Sequence, residues 1–329
     1  MNHSTFKSFT FGIGLFFTLP LVYGNSSSPS SSDGTLYINK SKTHKVAPVK
    51  YGFHYEEIGM MGEGALHAEL IRNRSFEEAT PPAGLSVKNG LYENVPAPRV
   101  KEKKVFQADP LIGWTTYPLS YTPVFISRTD ENPMSGENKY SMLVNVTEDI
   151  ANHPDALILN RGYYGMNLKT DTSYRLSLFL KNRNYSAPLR VFLVDEWGQR
   201  VSNVIEVNVG NRDWTKYTGE LKPEKNVRRG MFAIQPMSKG QFQIDVVSLF
   251  PSDTWNDGKS VFRKDIVQNL KEFSPSFIRF PGGCIVHGVN EETMYHWKKT
   301  LGPIENRPGQ WSKWAPYYRG HLIGYHEFY

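Results

Sequence analysis

The sequence predicts a multidomain protein of mixed class, α/β plus all-β, in which a β-rich module interrupts an α/β domain. Two separated segments, at residues 50–84 and 253–329, have strand-like and helix-like patterns. Between them, at residues 85–252, apolar and polar side chains alternate in short runs separated by turn residues. At 329 residues the chain is also longer than one hydrophobic core usually serves.

The N-terminal segment has the composition of an export signal followed by a spacer. The apolar stretch from Phe9 to Tyr23 is shorter than a membrane span needs and is interrupted by Pro20. We therefore expect a signal peptide over residues 1–24, a Ser-rich linker over 25–34, and a secreted protein, extracellular or periplasmic, with no membrane attachment after cleavage.

Composition argues against several classes of partner and cofactor. The 38 Lys and Arg residues exceed the 32 Asp and Glu residues only slightly and are scattered, so a nucleic-acid partner is not expected. The sequence has no phosphate-binding Gly-rich loop, no HExxH, no GxSxG and no paired CxxC. The nine His residues are dispersed, so neither a metal site nor a cofactor is expected, and Cys284 is the single cysteine.

The first α/β unit is predicted from residues 50–84. A strand-like run ends in Glu56 and Glu57, and helical spacing of apolar residues such as Leu66 and Leu70 predicts a helix after it. Adjacent strand residues point to opposite faces, so these two carboxylates are not expected to act on one bond together. One or two short strands are predicted just before this unit, at residues 35–49.

The interrupting module is predicted to be a β-sandwich. Seven alternating runs support it, namely KYSMLVNV, SYRLSLFLKN, LRVFLVDEWG, RVSNVIEVNVG, DWTKYTGEL, GMFAIQPM and QFQIDVVSLF.

The second α/β unit combines a helix with a strand that carries one charge. Apolar residues from Val261 to Leu270 recur at helical spacing, and the run FIRF that comes next predicts a fully buried parallel strand ending in a Pro-Gly-Gly turn. Arg279 in that strand needs a carboxylate or a polar ligand as partner, because a desolvated guanidinium alone is heavily penalised. Glu56 and Glu57, at the end of the first strand, are the candidate partners.

Four spaced segments resemble the N-terminal half of the family-51 glycoside hydrolases, the α-L-arabinofuranosidases. They are GFHYEEIGMMGEGALHAELIRNRSFE, FIRFPGGCIVHG, HWKKTLGPIENRPGQW and LIGYHEF, and the resemblance covers nearly all of residues 35–329. It implies an incomplete (β/α)8 barrel, with its first two strands in this chain, and an accessory β-sandwich to which residues 35–49 contribute. The insert resembles a family-4/9-type carbohydrate-binding module, which implies a jelly-roll-like sandwich.

The resemblance also implies roles for individual residues. Glu56 resembles the carboxylate that hydrogen-bonds the sugar ring, with a structural ion pair to Arg279 as the alternative, while Glu57 would turn toward a structural partner. Arg279 resembles the barrel arginine that orients active-site carboxylates, since a bidentate guanidinium fixes a carboxylate in a way Lys cannot. Cys284 falls close to the sugar hydroxyls in this family, or is a small buried hydrophobe.

Aromatic residues supply the remaining candidates. Trp297 and Trp314 lie on the loop after the second strand, where their rings would stack on sugar faces or simply pack the loop. In the insert the candidates for sugar stacking are Trp114, Tyr117, Tyr163, Tyr164 and Trp197, although core packing is the commoner role of aromatic residues in a sandwich.

The activity implied by the resemblance is the retaining hydrolysis of terminal non-reducing α-L-arabinofuranosyl residues from plant cell-wall arabinoxylan or arabinan. A retaining glycosidase needs two carboxyl groups about 5 to 5.5 Å apart. The family carries its acid/base and nucleophile Glu on later strands, so this chain is expected to lack both and to be inactive alone. The alternatives are a non-catalytic carbohydrate-binding protein and a gene fragment. The oligomeric state stays open.

Overall fold

The computed structural model describes residues 39, 41, 43–45, 49–80, 87–88, 91–92, 106–107, 109–288, 290–291, 293–312 and 318–328. The expected signal peptide and linker lie outside the described residues, as do most of the strands predicted at 35–49, and these stay predictions. The chain divides into two compact units, and the described strands and helices all lie in the second of them, Val49–Tyr329. No helix among the described residues is long and apolar enough to cross a membrane.

The described part of the chain is mostly β-structure, with three short α-helices. The strands are β1 (Phe53–His54), β2 (Val87–Lys88), β3 (Leu91–Tyr92), β4 (Phe106–Gln107), β5 (Trp114–Tyr117), β6 (Val124–Thr129), β7 (Ser141–Val146), β8 (Leu157–Asn160), β9 (Met166–Leu168), β10 (Tyr174–Asn182), β11 (Pro188–Val194), β12 (Ile205–Asn208), β13 (Thr215–Leu221), β14 (Val227–Pro236), β15 (Gly240–Pro251), β16 (Ile278–Arg279), β17 (Gln310–Trp311) and β18 (Tyr318–Arg319). The helices are α1 (Lys264–Glu272), α2 (Cys284–His287) and α3 (Tyr325–Phe328).

Two antiparallel sheets form the predicted sandwich. One has the strand order β13-β10-β15-β7-β6, and the other has the order β12-β11-β14-β8-β5, with β9 paired to β14. The seven predicted strands are confirmed as β7 and β10 to β15. Strands β5, β6, β8 and β9 were not predicted. Strand β8 is buried on both faces and so has no alternation, and β9, with three residues, is too short for its alternation to be recognised.

The core of the sandwich follows from the alternation of its strands. In β10 every second residue from Tyr174 to Leu180 is buried, and these side chains meet residues such as Phe232 and Phe242 from the two long strands β14 and β15. Burying a side chain of this size contributes roughly 1.5–3 kcal/mol. The sheets therefore hold together by the apolar contact that the pattern predicted.

The helix predicted after the first strand does not form as expected. A five-residue π-helical turn, Gly62–Leu66, ends where His67 adopts an extended conformation. Residues 67–80, which we call the strap, then run along the sandwich, where Leu70 N–H donates to the carbonyl of Leu249 at 3.1 Å. Phe76 of the strap is fully buried in the sandwich core. Long-range hydrogen bonds and core burial thus outweigh the local helical periodicity.

Strands β1 and β16 pair in parallel, as the sequence predicted. Phe53 lies opposite Ile278 and His54 lies opposite Arg279. The prediction that the second strand is fully buried is wrong, because the side chains of Phe277 and Ile278 are about half exposed. Among the described residues the two strands pair only with each other, and α1 contributes a half-buried apolar face beside them. The complete barrel stays a prediction.

Candidate functional site

The end of β1 and the turn after β16 meet at Glu56. The turn needs glycine, because a Cβ on Gly282, where φ is +137°, would lie 2.5 Å from Cγ of Glu56. The backbone N–H of Ile285 donates to Oε1 of Glu56 at 2.9 Å. The Glu56 carboxylate therefore receives a backbone hydrogen bond from α2 and is held against the Pro-Gly-Gly turn.

Three polar side chains converge on this turn. A Cβ built on Gly283 would lie 3.4 Å from Oε2 of Glu56, 3.6 Å from Cε1 of His54 and 3.8 Å from Nη2 of Arg279. Nε2 of His54 is 3.8 Å from Oε2 of Glu56. The structure thus brings Glu56 and Arg279 to one place, as their positions at the ends of parallel strands predicted, and adds His54. Together the three offer hydrogen-bond donors and acceptors to a ligand over the turn.

The other predicted residues near this turn are partly accessible. Cys284 begins α2 and has a free, half-buried thiol. Trp297 is 47% exposed, and its ring centroid lies 5.8 Å from that of Tyr325. Tyr325 contacts the ring of Phe280 in turn, with centroids 6.2 Å apart. Trp297 is therefore linked to the turn through two aromatic rings. Trp314 lies outside the described residues.

The aromatic candidates of the sandwich separate into packed and exposed side chains. Trp114 is buried, its indole N–H donates to the carbonyl of Asn73 at 3.1 Å, and it belongs to the core, so its role as a stacking platform is wrong. Tyr117 packs against a small apolar cluster that includes Leu157, Phe192 and Met231. Tyr163 is half-buried against Gly64. Tyr164 and Trp197 are 87% and 73% exposed.

A buried acidic pair beneath the turn was not predicted. Glu57 accepts a hydrogen bond from the Tyr55 hydroxyl at 3.0 Å, which is the structural partner expected for it. Glu63 accepts from the backbone N–H groups of Gly320 at 2.9 Å and Leu322 at 3.2 Å. Sequence reasoning missed this pair because Glu63 meets its partners across more than 250 residues of chain, a contact that leaves no local pattern.

Burial and, after it, the charge of Glu63 together raise the pKa of Glu57 to about 7. Burial also raises the pKa of Glu63. A carboxyl group whose pKa is raised in the folded state binds more protons there than in the unfolded chain. Between the ordinary pKa near 4.5 and about 7, stability therefore falls as pH rises.

We expect Glu57→Gln to remove this pH dependence. Gln keeps an acceptor oxygen for the Tyr55 hydroxyl without carrying a charge. The free energy of unfolding of the variant should therefore exceed that of the parent chain by up to about 3 kcal/mol at pH 7.5 and by little at pH 4.5. The measurement is urea unfolding at several pH values. Glu131→Gln, at an exposed carboxylate, is the control and should keep the parent pH profile. Parallel profiles for parent and Glu57→Gln would show that Glu57 is ionised throughout.

No group of three or more His, Cys, Asp or Glu side chains in the described part of the chain is arranged to hold a metal ion.

Comparison with known proteins finds similarity to α-L-arabinofuranosidases. Residues 269–329 match the model of the α-L-arabinofuranosidase 1 domain. α-L-Arabinofuranosidase 1 of Arabidopsis thaliana is 28% identical over 284 residues, which are 85% of this chain and 38% of that protein. An extracellular exo-α-L-arabinofuranosidase of Streptomyces chartreusis is 26% identical over 85% of this chain and 30% of its own length. The chain thus spans well under half the length of these relatives.

The fold agrees with that class. The solved structure of an arabinose-bound GH51 α-L-arabinofuranosidase superposes with a TM-score of 0.69 at 24% identity, over 88% of this chain and 43% of the other. The chain is thus similar to α-L-arabinofuranosidases in sequence and shares the fold of one of them. The resemblance of the insert to a carbohydrate-binding module stays a prediction.

Proposed function

We propose that this chain contributes a sugar-binding site to the retaining hydrolysis of terminal α-L-arabinofuranosyl residues of arabinoxylan or arabinan. The observation that carries the proposal is the convergence of Glu56, Arg279 and His54 on the glycine turn after β16. The names of the relatives support the sugar, and the relative named extracellular supports secretion.

Each side chain has a distinct part in this proposal. One oxygen of Glu56 accepts from the N–H of Ile285, while Oε2 lies toward His54 and the turn, where a carboxylate oxygen can accept a further hydrogen bond from a sugar hydroxyl. The Arg279 guanidinium reaches the same turn, where it can donate hydrogen bonds in a fixed plane to the ligand. Glu57, bonded to Tyr55 beneath the turn, keeps the strand end in place and does not contact the sugar.

We expect Glu56→Gln to weaken binding of an α-L-arabinofuranosyl oligosaccharide to the 329-residue chain by about tenfold. The variant loses the charge-assisted acceptor for a sugar hydroxyl, and such hydrogen bonds contribute roughly 1.5–3 kcal/mol. Isothermal titration calorimetry with an arabinan-derived oligosaccharide measures this change in affinity. Hydrolysis of an aryl α-L-arabinofuranoside, followed in parallel, should be absent, because Glu56 and Glu57 lie in different surroundings and do not flank one bond.

Glu272→Gln is the matched control, since Glu272 is an exposed carboxylate at the end of α1. It should bind as the parent chain does. Equal affinity of the parent and Glu56→Gln for the oligosaccharide would refute the proposed role of Glu56, and turnover that disappears in Glu56→Gln would make Glu56 a catalytic residue.

A second candidate function is carbohydrate binding by the sandwich alone. The exposure of Tyr164 and Trp197 favours it, because rings with one free face are suited to stacking on sugars. The same calorimetric titration with Trp197→Ala and Tyr164→Ala decides between this candidate and the site at Glu56.

A further inference from the structure

The aromatic ring of Phe328, in α3, contacts the chain just after β1 and just after β16. Its centroid lies 5.1 Å from that of Tyr55 and 4.0 Å from that of Phe280. Tyr55 directly precedes Glu56, and Phe280 directly follows Arg279. One side chain thus packs against the neighbours of both groups that converge on the glycine turn.

The two strands have little else to fix their ends relative to each other. Strands β1 and β16 have two residues each, and among the described residues they pair only with each other. The N–H of Tyr55 donates to the carbonyl of Arg279 at 2.9 Å. Contacts between aromatic rings add about 0.5–1.5 kcal/mol each beyond the area they bury. The packing of Phe328 is therefore a substantial part of what sets the spacing between Glu56 and Arg279.

Helix α3, which carries this ring, is held by a buried ion pair. Arg307 donates to the two carboxylate oxygens of Glu327 at 3.1 and 2.7 Å, and to the carbonyl of His321 at 3.0 Å. The N–H of Gly324 donates to the same carboxylate at 2.7 Å. A bidentate pair of this kind fixes orientation as well as distance. Since Phe328 follows Glu327 directly, its ring is carried on a fixed backbone.

Glu63 attaches the segment that leads into α3 to the π-helical turn after β1. Its two oxygens accept from the N–H groups of Gly320 and Leu322 at 2.9 and 3.2 Å. The residue between these two, His321, has a left-handed backbone with φ of +54°. N–H groups around a left-handed residue form a concave site for an anion, which the Glu63 carboxylate fills.

We propose that Phe328 is a positioning residue for the sugar-binding site, and that Glu63 acts through it. The ring sets the spacing of Glu56 and Arg279, while Glu63 and the ion pair of Arg307 hold the helix that carries the ring. Neither Phe328 nor Glu63 contacts the sugar. This inference rests on the proposed function.

Two measurements on the 329-residue chain test it. One is the affinity for an arabinan-derived oligosaccharide by calorimetry, and the other is hydrogen exchange of the Ile285 amide, which donates to Glu56. Phe328→Leu should weaken binding about tenfold, because binding sites lose function when their groups move by more than about 0.5 Å. The Ile285 amide should exchange faster in this variant without ligand. Phe328→Tyr keeps the ring and should stay within about twofold of the parent in both measurements.

The matched control for the ring is Phe273→Leu. The Phe273 ring contacts that of Phe53, at the start of β1, with centroids 5.9 Å apart. Its removal takes an aromatic contact from the same strand at a distance from Glu56. Affinity and exchange at Ile285 should therefore remain as in the parent.

Glu63→Gln should weaken binding about threefold, since an amide offers one acceptor oxygen for two N–H donors. Glu77→Gln is its control, because Glu77 is also a buried carboxylate that accepts from two backbone N–H groups, those of Lys139 and Tyr140, at 2.7 and 2.9 Å. Those donors lie in the sandwich module, so Glu77→Gln should keep the parent affinity whatever its melting temperature.

If the parent binds the oligosaccharide, the inference is overturned when Phe328→Leu leaves either the affinity or the exchange of Ile285 unchanged. It is also overturned when Phe273→Leu and Glu77→Gln weaken binding as much as Phe328→Leu and Glu63→Gln do, because general loss of stability is then the cause. A parent chain without affinity would refute the proposed function instead. Exchange at Ile285 then decides the inference, which stands if exchange is faster in Phe328→Leu than in Phe273→Leu and falls if the two are equal.

Discussion

Replacing Glu69 with Ala is expected to lower the free energy of unfolding by about 3–5 kcal/mol. The buried carboxylate accepts hydrogen bonds from the N–H of Leu249 at 2.8 Å and the Ser248 hydroxyl at 2.6 Å, and so joins the strap to β15. It also accepts from the N–H of Ile71 at 3.0 Å and lies 3.7 Å from Nε of Arg74. Alanine would leave these donors and the guanidinium buried without their partner.

Chemical denaturation measures the loss, and hydrogen exchange locates it. Amide protection should fall first at Ile71 and Leu249, which donate to Glu69. The free energy of unfolding should fall less in Glu69→Gln than in Glu69→Ala, because Gln keeps one acceptor oxygen. Glu131→Ala removes an exposed ion pair with Arg183 and should cost less than about 1 kcal/mol. A loss of similar size in Glu69→Ala and Glu131→Ala would mean that the strap is not held by this carboxylate.

The second large effect is expected at Gly62. A Cβ there would lie 1.8 Å from Oε2 of Glu57 and 1.9 Å from the Tyr55 hydroxyl, far inside van der Waals contact. Both groups are packed beneath the end of β1, so neither can move away freely. We expect Gly62→Ala to lower the free energy of unfolding by about 3 kcal/mol or more. This is the upper end of the range for overpacked side chains, because the hydrogen bond between Tyr55 and Glu57 must also break.

Thermal unfolding of Gly62→Ala measures this cost. Gly136→Ala is the matched control, because a Cβ on Gly136 meets nothing within 4 Å, and its melting temperature should stay within a degree or two of the parent. Gly62→Ala should also weaken oligosaccharide binding at Glu56, which follows Tyr55 directly in the chain. An unchanged melting temperature in Gly62→Ala would show that Glu57 and Tyr55 have room to move apart.

Much of the site at the turn was predictable from local pattern. Glu56 and Arg279 each end a strand-like run, and the carboxyl ends of parallel strands meet at one edge, so their proximity followed once the pairing was assumed. The glycines after Phe280 predicted a turn, and in the structure this turn lies against Glu56, with Gly282 in close contact. His54 carried no such signal, because a single His in a strand has no distinctive spacing.

The alternation of apolar and polar residues by itself determined the sandwich, because that pattern needs only the two-residue period of a strand. The tertiary structure alone decided the extended strap in place of a helix, the burial of Trp114, the exposure of Tyr164 and the partners of Glu63. Each of these depends on groups that are distant in sequence, such as Asn73 for Trp114 and Leu249 for the strap. Local periodicity reports which face of an element is apolar, whereas hydrogen bonds between distant segments determine what covers it.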